Sequence, residues 1–205
     1  MRAAARLERR GCLRTAAAAV LGWPALLIAG PASASRDVVS DRQARSRAWF
    51  TETRLIDQDG RAHAMYSDLL APRTVLISTL FVGCSSACPL IVQRLDHTRQ
   101  ALGERFGADI WFLSITVDPL HDDPPALKRF AQRFGVDRPG WRFLTGEPTD
   151  VSTVLQRLGL WSAQPDDHAT TLIAGKARAA RWAKLRPDLS PQALALHLTR
   201  LLEAS

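Results

Sequence analysis

The sequence predicts an α/β domain in which a mixed sheet carries helices on both faces. Three observations predict it. Two continuously apolar, β-branched runs, "RTVLISTLFV" (73–82) and "DIWFLSITVD" (109–118), are too short for ordinary helices and suit strands buried on both faces. Each is followed by a segment whose apolar residues recur at helical spacing. Pairs of short strands with turn residues between them bracket this strand–helix alternation at both ends.

Residues 1–34 read as an export signal. Arg2, Arg6, Arg9, Arg10 and Arg14 face a single Glu8, the apolar run "TAAAAVLGWPALLIAG" follows, and Ala32-Ser33-Ala34 fits small-x-small cleavage. The run is short for a membrane span of about 20 residues, although retention of the segment would make it an anchor. Arg9-Arg10 with Leu13-Arg14 faintly resembles a twin-arginine signal. Cys12 lies inside the signal, without the preceding apolar stretch of a lipidation site. Residues 35–50 are polar without a clear period and read as a linker or lead-in. Residues 51–205 then form one domain.

"TRLIDQDGRAHAMYSDL" reads as a β-hairpin turning at Asp59-Gly60. The strand at 73–82 leads into a helix at 89–107, where Leu90, Ile91, Leu95, Leu102 and Phe106 keep helical spacing and Gly107 is a stop. After the strand at 109–118 comes a helix at 122–135, with Asp122 or Asp123 as cap and prolines in its first turn. "WRFLTG" (141–146) is a short strand. Residues 147–160 form another helix, with Thr149 or Asp150 near its start. Residues 168–185 read as two antiparallel strands around Gly175-Lys176. Ser190 caps a closing helix at 190–204, with Pro191 in its first position.

The formal charge of +7 is concentrated at the start of the chain. No basic stripe interleaved with aromatics is visible, which argues against a nucleic-acid partner. Removal of the signal leaves Cys84 and Cys88 as the two cysteines, in an oxidising compartment.

Cys84 follows the first buried strand, and Cys88 precedes Pro89 in the first turn of the next helix. A helix N-terminus stabilises thiolate and is expected to lower a cysteine pKa. Residues i and i+4 lie on one side of a helical turn, and turns are about 5.4 Å apart. The two sulfurs can therefore approach, which suits a disulfide and equally two thiolates on one soft metal ion. The spacing is not C-x-x-C, and one pair cannot complete a four-ligand zinc site. A redox pair, a structural disulfide, a metal clamp and two ordinary buried residues all stay open on these residues alone.

A metal needs a third ligand. His63 lies beside the first hairpin, His97 in the first helix, His121 after the second strand and His197 in the last helix. A lone histidine is usually a surface or satisfied core residue. His168 stands apart, because it sits in a loop entering a strand, where functional residues collect. Asp166 and Asp167 precede it and either could orient its imidazole.

Five pieces in order resemble the SCO/SenC family of copper-binding, thioredoxin-like proteins: "LIDQDG…YSDLL", "CSSACP", "LSITVDPLHDDPPALKRFAQRFG", "WRFLTGEPTDVSTVLQRLG" and "DDHATTLIAG". The resemblance runs from about Leu55 to Ala204. It implies a thioredoxin-like fold with an extra N-terminal β-hairpin, and one copper ion held by Cys84, Cys88 and His168. It also implies a metallochaperone that delivers copper, or reducing equivalents, to the dinuclear copper site of cytochrome c oxidase. Two thiolates and an imidazole form a soft donor set suited to Cu(I).

The alternative is a thiol-disulfide oxidoreductase using Cys84 and Cys88 as its redox pair. A peroxidase of this fold would want a threonine three residues before its cysteine, where Phe81 stands. Failing the cysteines, a cluster at His121, Asp122 and Asp123 is the next candidate for a metal. The protein is expected in the periplasm or otherwise exported, with a copper-receiving protein as partner. Mass spectrometry of the exported protein should show a chain beginning at Ser35; a product that retains residues 1–34 would overturn the cleavage.

Overall fold

The computed structural model describes residues 32–84 and 87–203. The expected signal falls almost wholly outside them. The segment read as an irregular lead-in is instead the end of helix α1, Ala32–Phe50. Its polar composition hid it; what ties its C-terminal part down is a few side chains. Ser46 and Phe50 are buried there, Trp49 Nε1 donates to the carbonyl of Arg157 at 3.0 Å, and Tyr66 Oη donates to that of Gln43 at 3.3 Å.

The first hairpin pairs β1, Arg54–Asp57, with β2, Ala62–Ala64. Its turn is organised by the buried Asp57, whose Oδ1 accepts from the backbone N–H groups of Asp59 and Arg61, each at 2.9 Å. Gly60 takes the positive φ of 79° that the turn requires. The hairpin is shorter than expected, and Met65–Leu70 forms a π-helical turn that buries Met65, Tyr66, Leu69 and Leu70.

β3, Thr74–Leu80, is buried along its whole length. α2, Ala87–Leu102, follows the cysteine loop. β4, Ile110–Thr116, leads to α3, Pro124–Arg133, capped by Asp123, whose Oδ1 accepts from the Ala126 N–H at 2.7 Å. β5, Trp141–Thr145, precedes α4, Pro148–Leu158, which ends at Gly159 in the left-handed region. Glu147 holds the cap position of α4, and its side chain makes no capping bond. β6, Leu172–Lys176, and β7, Arg181–Leu185, form the second hairpin. α5, Pro191–Glu203, closes the described chain, with Ser190 Oγ accepting from the Ala193 N–H at 3.2 Å.

One seven-stranded sheet runs β2-β1-β5-β4-β3-β6-β7. β3, β4 and β5 are parallel, while β1 and β6 flank them antiparallel. Alternate residues of β3 point to opposite faces. Leu76 and Leu80 join a core with residues of α2, α3 and α5, whereas Val75 and Ile77 join one with residues of α1, the π-helical turn and α4. This is the expected mixed sheet covered on both sides.

The second hairpin turns later than expected. Gly175 and Lys176 lie within β6, and the turn is the 3₁₀ segment Ala177–Ala179. Gly175 is there for packing, because a Cβ at this position would meet Trp182 Cζ3 at 1.9 Å. The indole of the paired residue Trp182 packs onto the bare glycine. Gly175→Ala should therefore destabilise the protein by about 1–3 kcal/mol through overpacking, read as a lower urea midpoint with an unchanged slope. An unchanged midpoint would show that Trp182 moves away without cost.

Candidate metal centre

The topology sets the site. β6 runs antiparallel to β3, so the loop that enters β6 lies beside the loop that leaves β3. One carries His168 and the other Cys84, with Cys88 in the first turn of α2. Thr79 Oγ1, near the end of β3, donates to the Ala169 carbonyl at 2.8 Å and ties the two together.

The result is a contact between residues 80 positions apart: Cys88 Sγ lies 3.7 Å from His168 Nε2. Both are buried, Cys88 at 1% exposure and His168 at 9%. His168 Nδ1 is 2.7 Å from the carbonyl of Pro165. A carbonyl only accepts, so Nδ1 carries the proton, and in the neutral ring Nε2 presents its lone pair toward the sulfur. The orienting group is this carbonyl, in place of the expected carboxylates Asp166 and Asp167. The Phe81 ring meets the imidazole edge-on, with centroids 5.6 Å apart.

Cys84 is half-buried and Cys88 fully buried, and no disulfide joins them. The Cys88 N–H points at Cys84 Sγ at 3.4 Å, and the Cys84 N–H donates to the Phe81 carbonyl at 3.1 Å. Among the described residues no three cysteine, histidine or carboxylate side chains converge on a common point. Cys88 and His168 form a built pair, with Cys84 adjoining it through the Cys88 N–H.

The electrostatics differ from the helix-terminus expectation. Burial pushes the Cys88 thiol up to about 12, and the adjacent Cys84 and the charge of Asp122 add to the shift. A helix N-terminus contributes roughly 0.3–1 kcal/mol, less than the ~1.4 kcal/mol that one pKa unit represents. Burial therefore wins, and Cys88 is a thiol at neutral pH.

Asp122 is neither the helix cap nor part of a surface metal cluster; it is buried beneath the cysteine loop. Its carboxylate accepts from the Val82 N–H at 3.0 and 3.2 Å and from Thr116 Oγ1 at 2.5 Å. It thereby joins the exit of β3 to the end of β4. Burial raises its pKa, against the opposing hydrogen bonds from Thr116 and Val82. The cluster with His121 and Asp123 does not form, because Asp123 caps α3 and the exposed His121 pairs with Asp118 at 2.8 Å. Among the other histidines, His63 bonds Asp57 at 2.8 Å, and His97 and His197 are exposed. The signal for Asp122 was in the sequence: of two consecutive aspartates before α3, only one is needed as a cap.

The raised Cys88 pKa fixes a pH dependence. The folded state keeps the neutral thiol, so stability from this group is fully present below the ordinary thiol value of 9.0 and is lost as pH rises toward about 12. The contribution of Cys88 to the urea midpoint should be flat up to about pH 9 and fall above it. Iodoacetamide should label Cys88 far more slowly in the folded protein than in urea at pH 8. Equal labelling rates would contradict both the burial and the shift.

A family model described as SCO1/SenC matches residues 42–178. A SCO1 protein homologue of Bacillus subtilis is 30% identical over 90 residues, which are 44% of this chain and 45% of that protein. The chain spans about half the length of the curated relatives it matches. Among solved structures, Bradyrhizobium japonicum ScoI with copper bound has a TM-score of 0.62 at 23% identity, over 73% of this chain and 96% of that one. BsSco, described as a member of the Sco family of cytochrome c oxidase assembly proteins with a disulfide switch, has a TM-score of 0.64 at 19% identity, over 76% and 94% of the two chains. These structures share the fold, and the family model covers the cysteine pair and the histidine loop as well as the strands between them: the chain belongs to the SCO1/SenC family.

Proposed function

We propose that this protein is an exported copper carrier. It holds one ion through Cys84, Cys88 and His168 and passes it to a copper-receiving subunit of cytochrome c oxidase. The observation that carries this reading is the Cys88–His168 pair, a buried sulfur facing an imidazole nitrogen at 3.7 Å whose partner nitrogen is already committed to Pro165. Family membership and the copper-bound relative support it.

The donor set fits the metal. Thiolate and imidazole suit Cu(I) better than they suit hard cations. His168 needs no change of tautomer to offer Nε2. Cys84, at the more open edge of the site, completes the set by turning its side chain toward the buried pair. Cys88 must lose its proton on loading, so binding releases protons and weakens as pH falls. Asp122 acts indirectly, holding the Val82 N–H and with it the start of the loop that carries Cys84. Oxidation to a Cys84–Cys88 disulfide would remove both sulfur ligands, which agrees with the switch described for BsSco.

A dithiol reductase is the second reading, favoured by the two adjacent sulfurs and that same described switch. The Cys88 thiol argues against it as the attacking group, because a nucleophilic cysteine is exposed and has a lowered pKa.

Anaerobic Cu(I) titration of the reduced protein should give one ion per chain. Cys84→Ser and Cys88→Ser should each cost more affinity than His168→Ala, thiolate being the softer ligand. The double serine variant should take up none, and the fully oxidised protein should bind no copper tightly. Undiminished uptake by the double variant would overturn the assignment.

A further inference from the structure

A second site lies on the other face of the sheet from Cys88. Between the end of α1, the end of α4 and β7 is a cavity of about 390 Å³, within the range of about 300–1,000 Å³ usual for small-molecule sites. Trp49, Phe50 and Trp182 contribute its aromatic surface, and Arg45, Arg157 and Lys184 its charge. Among the described residues no acidic side chain lines it.

We propose that this cavity binds a small amphiphilic anion, one carboxylate or sulfonate head on an aromatic or alkyl body. The aromatic walls are fixed. Trp182 packs against Gly175 and on Phe50 with centroids 4.6 Å apart. Trp49 is anchored through its indole N–H to the Arg157 carbonyl at 3.0 Å, yet the residue is left 54% exposed. A large, rigid aromatic surface left open in this way accepts an apolar body at little entropic cost.

The charges define the other end of the ligand. Arg157 stacks over the Trp49 ring at 5.1 Å. Lys184 Nζ stands over Gly159, where an added Cβ would come within 3.2 Å of it. Arg45 is paired with Asp41. Among the described residues neither Arg157 nor Lys184 forms an ion pair with a carboxylate. The nearby end of α4 offers only a partial negative charge of about one half, so two full cations leave the cavity positive. Guanidinium and ammonium donors beside an aromatic wall recognise an anionic head joined to an apolar body. The concave shape favours a free molecule over a flat bilayer surface.

The test uses the full chain and 8-anilinonaphthalene-1-sulfonate as probe. Its fluorescence should saturate at one probe per chain. Dodecanoate should displace it, and dodecyltrimethylammonium should not. The double variant Arg157→Gln, Lys184→Gln alters only rim side chains. It should weaken probe binding about tenfold or more through loss of charge-assisted hydrogen bonds, with unchanged circular dichroism and unchanged copper uptake. Equal affinity in that variant would overturn the proposal, as would equal displacement by the cationic detergent. So would an absence of saturable binding. Uptake of the protein by anionic phosphatidylglycerol vesicles without binding of free dodecanoate would assign the basic rim to a membrane and overturn it too.

Discussion

The antiparallel pairing of β6 with β3 is the constraint on which the site depends. A parallel neighbour would place its entry loop at the opposite end of the sheet. Because β6 runs the other way, the start of one strand meets the finish of the other, and residues 80 positions apart come within 3.7 Å. β3 can serve as this fixed reference because it is buried throughout and paired on both sides, with β4 in parallel and β6 antiparallel. Such a strand has little freedom to shift register. The Thr79–Ala169 bond then sets the separation of the two loops.

Around that junction, polar groups work by position more than by charge. Asp122 spends its carboxylate on a backbone N–H and a hydroxyl. Cys88 is kept as a thiol by its surroundings. A buried sulfur of this kind is protected from casual oxidants and alkylating agents while unloaded. A metal that binds thiolate must supply the energy to displace its proton.

Much of this was legible in the chain. The apolar runs at 73–82 and 109–118 gave the two central strands, and the strand–loop–helix order placed the cysteines at the start of α2. His168 was picked out by its loop. What the sequence hid was partnership. The orienting group for His168 is a main-chain carbonyl, which no residue type signals, while the adjacent Asp166 and Asp167 drew attention away from it. Asp122 was masked by Asp123, which does the capping. Gly175 read as a turn because glycine usually serves backbone freedom; here it serves a tryptophan that pairs with it across the hairpin. The helix over 32–50 was missed because a polar helix held mainly by its last few side chains leaves no apolar stripe to read.

The hydrogen bond from His168 Nδ1 to Pro165 has a consequence for how this site can be probed and how it can vary. A carboxylate partner is a side chain and can be deleted. A carbonyl belongs to every residue, so substitutions at 165, 166 and 167 change the side chains and leave the acceptor in place. An alanine scan through the loop would therefore pass over the group that sets the imidazole. The device is robust to mutation and invisible to sequence comparison, and only a change in loop length or backbone path would remove it.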